Sequence, residues 1–150
     1  MELAEPKYEF VIIGENIHTT RVLLRKGKLV TTNPDGLEAV RFYDVDKRRR
    51  YLLIPKEIRR TQDYEEGRVK YVKIAIQAAM FGHGSIATDG LAYLHRMVQR
   101  QIDAGADYLD LQVDEISLRN EDQKQAMQWL VEKVEQISTV PLSLDSSDIE

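Results

Sequence analysis

The spacing of apolar positions changes period several times along the chain. Residues 10–14 form a short apolar run closed by Gly14, which predicts a buried strand. Polar residues 15–20 follow as a loop. Residues 22–55 read as a small antiparallel meander. Segments 28–32, 39–43 and 51–54 are β-prone, and Asn33-Pro34-Asp35-Gly36 carries Pro and Gly where a tight turn needs them. Helical spacing then takes over. Val69, Val72, Ile76 and Met80 mark one apolar face, with Thr61 or Asp63 as a cap, and residues 81–85 break the pattern. Asp89 is the predicted N-cap of a second helix bearing Leu91, Leu94, Val98 and Ile102, and Gly105 suits its C-terminal left-handed residue.

The last third alternates more regularly. Residues 108–113 predict a strand, and Asn120 with Gln123 a capping box. Ala126, Met127, Leu130, Val131, Val134 and Ile137 form a broad helical stripe, and residues 141–145 predict another strand. Helix, strand, helix, strand with short connections is the pattern of βαβ units and a parallel sheet.

Composition narrows the function classes. Of the 150 residues 43% are hydrophobic, enough to bury a core, and there is no cysteine, which excludes disulfides and thiolate metal sites. No apolar run approaches the roughly 18 residues of a membrane helix, and residues 1–8 lack the features of a secretory signal. The expectation is a cytoplasmic protein that does not bind membranes. Residues 41–70 hold ten Lys or Arg against six Asp or Glu, while residues 101–150 hold three against twelve. The run Lys47-Arg48-Arg49-Arg50 reads as a solvated hairpin tip, so nucleic acid is not an expected partner.

In a parallel α/β sheet ligands bind beyond the carboxyl ends of the strands. Those ends offer Glu15, Asn16 and His18, then Asp110, Gln112, Asp114 and Glu115, then Asp145, Ser146 and Ser147. Asp110 lies between Leu109 and Leu111, so it faces the opposite side of its strand from both. A carboxylate there needs a partner, such as an arginine or the paired N–H groups of a planar ring. Asp145 could equally cap a following helix, and Glu15 could pair with an arginine. His18, His83 and His95 lack metal-binding spacing, and no metal site is expected.

These residues sit in segments that resemble a known family. The run 13–18 resembles the strand-one motif IGERIN of pterin-binding barrel enzymes. The segment 104–113 is similar to their AGAD-x-LDLNV, and Trp129-Leu130-Val131 with residues 140–146 is similar to WLV…VPLSIDS. The family contains dihydropteroate synthases and methyltetrahydrofolate corrinoid-protein methyltransferases, and the Trp-Leu-Val helix and the Glu of the first motif resemble the latter. The resemblance implies the N-terminal part of a parallel (β/α)8 TIM barrel over residues 1–150, with barrel strands near 10–14, 108–113 and 141–145 and the meander 22–55 inserted.

It also implies transfer of the N5 methyl of a tetrahydrofolate to the cobalt of a corrinoid (cobalamin) held by a partner protein. Substrate-binding residues would be Asp110, Gln112, Asp145, Glu15, Asn16 and Ser146, with catalytic residues unassigned. The alternatives are a dihydropteroate synthase and a non-catalytic folate-binding or assembly subunit. A barrel of this kind takes about 250 residues, so the expectation is an inactive fragment, a homodimer, or a chain completed by another polypeptide. Two positions depart from the family. Gln112 replaces an Asn, lengthening the amide's reach by roughly 1.5 Å. His18 replaces the Asn closing the first motif, which weighs against dihydropteroate synthase.

Overall fold

The structure, a computed structural model, describes residues 17–145. Its parallel sheet consists of β1 (Ile17–His18), β7 (Leu109–Gln112) and β8 (Leu142–Leu144), in the order β1-β7-β8. Between β1 and β7 lie two antiparallel sheets and two long helices. β2 (Leu23–Leu24) pairs with β6 (Arg68–Val69), and β3 (Val30–Thr32), β4 (Glu38–Tyr43) and β5 (Arg49–Leu53) form a three-stranded meander. The short helices α1 (Lys56–Arg59) and α2 (Gln62–Glu65) link β5 to β6. The helices α3 (Tyr71–Phe81) and α4 (Ser85–Asp103) pack as a hairpin, and α5 (Asn120–Ile137) connects β7 to β8.

This arrangement overturns the barrel expectation. A barrel needs a continuous ring of tilted parallel strands, each paired on both sides and each followed by a helix. Among the described residues there are eight short strands in three separate sheets, and the chain after β1 turns into antiparallel ribbons instead of a crossover helix. The strand expected at 10–14 lies outside the described residues.

Local chemistry explains the elements. The β3–β4 turn is held by Asn33, whose side-chain oxygen accepts from the amides of Asp35 and Leu37, while Gly36 takes the left-handed φ of 82°. Thr61 caps α2 by accepting from the Tyr64 amide. Val69 belongs to β6, so the apolar face of α3 starts at Tyr71 and buries Val72, Ile74, Ala75 and Ile76.

The helix α4 begins at Ser85, four residues before the expected cap. Asp89 instead lies within it and accepts from Arg50 at 3.0 Å. Arg50 also donates to Asp44 at 2.6 Å, so the basic run at 47–50 is not wholly solvated. Gly105 does adopt the left-handed conformation, φ 86°. At α5 the expected capping box is absent. The Gln123 amide donates to the Asp114 and Ser117 carbonyls instead, tying the helix to the loop after β7. Ala126, Leu130 and Val134 bury its inner face. No helix among the described residues is long and apolar enough to cross a membrane.

Candidate functional site

The pleat of the parallel sheet sorts its residues by chemistry. Ile17 pairs with Leu111 and His18 with Gln112, while Asp110 sits beside Ser143. Side chains alternate between faces along each strand. Ile17, Leu109 and Leu111 therefore share one face, where all three are fully buried in the core. His18, Asp110, Gln112 and Ser143 share the other. The Asp145 amide donates to the Leu111 carbonyl, continuing the ladder past β8, and brings the Asp145 carboxylate onto the polar face.

His18 stands between two carboxylates. Its Nε2 is 3.0 Å from Asp110 Oδ2 and 3.9 Å from Asp145 Oδ2. A carboxylate only accepts, so the shorter contact is a hydrogen bond in the tautomer that carries its hydrogen on Nε2. The side chains grade outward: His18 is 14% exposed, Asp110 20% and Asp145 55%. Nothing here pairs an arginine with either aspartate, among the described residues.

Gln112 is held from behind. Its side-chain oxygen accepts from the Thr19 hydroxyl at 2.6 Å and the Asp114 amide at 3.2 Å. Thr19 in turn accepts from the Glu115 amide at 3.1 Å. With its oxygen committed, Gln112 has its amide nitrogen left as the end that can donate. Glu115 itself forms an ion pair with Lys70, which also bonds Asp63 at 3.0 Å. Burial lowers the Lys70 pKa, but hydrogen bonds to Glu115 and then Asp63 outweigh it and hold the ammonium above its ordinary value.

Of the six expected binding residues, the structure gathers Asp110, Gln112 and Asp145. Glu15, Asn16 and Ser146 lie outside the described residues. His18 was not among the six, yet it is the hub of the cluster. A signal for it existed in the alternation Ile17-His18, which puts the imidazole on the face opposite the core. One nitrogen of His18 and one oxygen each of Asp110 and Asp145 lie within 4.8 Å of one another, a donor set that could hold a divalent cation. That contrasts with the expectation of no metal site, which rested on sequence spacing alone. No protein-family model, curated protein or solved structure matches this chain.

Proposed function

We propose that the polar face formed by His18, Asp110, Gln112 and Asp145 binds the ring of a reduced pterin, in a methyltransferase acting on a methylated tetrahydrofolate. The observation that carries the proposal is the placement of Asp110 and Asp145 on one sheet face, either side of His18, with no arginine paired to either among the described residues. The motif resemblance over residues 103–147 supports it.

The donor and acceptor chemistry fits. A pterin ring presents a ring N–H and a 2-amino group side by side, and a carboxylate accepts both. The Gln112 amide nitrogen can donate to a ring carbonyl, and Thr19 fixes its direction. A proton or hydrogen bond at N5 makes that nitrogen a better leaving group. His18 lies on the same face with its Nε2 against Asp110, and donating to the pterin would mean exchanging that carboxylate for N5. A corrinoid on a partner protein supplies the cobalt(I) that accepts the methyl group.

Titration of the chain with 5-methyltetrahydrofolate in a calorimeter tests this. Asp110→Asn and Asp145→Asn should each weaken binding by about tenfold or more, the scale of losing a hydrogen bond to a charged group. Asp103→Asn, at the exposed end of α4 where the carboxylate accepts from Gln99, should leave it unchanged. Equal affinity in both site variants would remove the pterin reading.

The second reading is a divalent cation held by His18, Asp110 and Asp145, favoured by their mutual distances. Heat on titration with Mn2+ that vanishes in both site variants, with no folate binding by the native chain, would select it.

A further inference from the structure

A cavity of about 170 Å³ lies between the meander and the helix pair, lined by residues other than those of the site above. Arg41, Arg49, Arg96 and Arg100 line it, and among the described residues no Asp or Glu does. The helix α4 contributes Tyr93, Arg96, Met97 and Arg100, at the i, i+3, i+4, i+7 spacing of one helical face. Arg41 and Arg49 come from neighbouring strands β4 and β5.

Four guanidiniums in one lining repel one another, and proteins ordinarily interleave such groups with carboxylates. Here none of the four forms an ion pair with a carboxylate, among the described residues. Arg41 donates its Nε to the Lys28 carbonyl at 3.1 Å, and Arg49 donates to the Tyr43 hydroxyl at 3.0 Å. Arginines elsewhere that are structurally committed behave differently. Arg50 is bonded to Asp44 and Asp89, and Arg68 to Asp63 and Glu66. The field at the cavity shows in Tyr43, whose hydroxyl is held below its usual pKa by its bond to Arg49 and the charge of Arg49, with Arg41 adding.

The lining behind the arginines is buried and aromatic. Phe42 meets Tyr93 edge to face with centroids 4.8 Å apart, and Tyr93 meets Tyr71 at 5.9 Å. All three of these rings are buried, and the exposed lining ring, Tyr43, is already covered by Arg49, so no free aromatic face is offered for stacked bases, which argues against single-stranded nucleic acid. The cavity is also smaller than the roughly 300–1,000 Å³ pockets that enclose drug-sized ligands. Guanidinium forks match the oxygens of phosphate and carboxylate groups in bidentate geometry.

We propose that this cavity binds a small multiply charged oxyanion of about pyrophosphate size, either free or as the anionic end of a longer molecule. The site is separate from the pterin face and does not depend on that reading.

Calorimetry of the full chain with pyrophosphate at fixed ionic strength tests it, with acetate as the singly charged control. Pyrophosphate should bind one per chain and acetate should not. Arg96→Gln and Arg100→Gln, both on the helix rim, should each weaken pyrophosphate by about tenfold, with unchanged melting temperature in the absence of anion. Arg96→Lys should restore part of the loss, since charge is kept and the fork is lost. Arg119→Gln, outside the cavity, should change nothing. Titration with ribose 5-phosphate distinguishes the two sources, because an anion on a larger body binds only if the cavity mouth admits the attached group. Absence of pyrophosphate binding would overturn the proposal. So would binding indifferent to both glutamine variants, or tighter binding of an oligonucleotide that pyrophosphate does not displace.

Discussion

Asp110 illustrates how much one residue's neighbours matter. Its place between two leucines puts it off the core, and only the parallel neighbours decide what it meets. β1 brings His18 to 3.0 Å, and the segment after β8 brings Asp145 to the same imidazole. Asp44 is the opposite kind of aspartate, structural and saturated. Its carboxylate accepts from Arg50 and from the amides of Arg48 and Asp46, and these bonds, Arg50 first, hold its pKa below the usual value. A carboxyl group with a depressed folded pKa stabilises the fold at neutral pH. That contribution is complete above the unfolded value near about pH 4 and is lost as pH falls through the lower folded value. Thermal melts of Asp44→Asn should therefore lie below the native chain at pH 7 and converge with it in strong acid. A constant gap across that range would refute the assignment.

At the scale of elements, the contact between α3 and α4 depends on a glycine. A Cβ at Gly90 would sit 2.8 Å from the Ala75 carbonyl oxygen and 2.8 Å from the Ala79 amide. Backbone cannot yield as a flexible side chain does, so the helices must separate to admit a methyl group. Gly90→Ala should destabilise the fold by about 1–3 kcal/mol despite alanine's better helix propensity, read from chemical denaturation. An unchanged midpoint would mean the two helices do not pack this closely. The elements themselves were largely visible in advance. Alternation and the Asn33 turn mark β3, β4 and β5, and the stripe from Ala126 marks α5. The start of α4 is not legible, because Asp89 looks like a cap while its carboxylate is used by Arg50 from a strand 39 residues away.

Across the whole molecule, Lys70 joins parts that are remote in sequence. It lies between β6 and α3, and reaches Asp63 on α2 and Glu115 beyond β7. Lys70→Met leaves these two carboxylates facing without their shared cation. It should cost about 1 kcal/mol, the upper end for a partly exposed pair, and high salt should narrow the difference. A loss that salt leaves untouched would point to packing of the lysine stem instead.

Apolar spacing, turn chemistry and the strand–helix–strand order of residues 108–145 are local properties, and the sequence alone determined them. It also determined that Asp110 and Gln112 share a face, since period two needs no tertiary knowledge. Tertiary structure decided the rest. The pairing of Ile17 with Leu111 spans two antiparallel sheets and a helix hairpin, and no local pattern encodes a partner that far away. Closure of a sheet into a barrel is likewise a property of all strands together, so residues that resemble a barrel's motifs could still fold with three separate sheets. The joining of His18 to two aspartates follows from that long-range register, which is why the histidine's place at the centre emerged only in three dimensions.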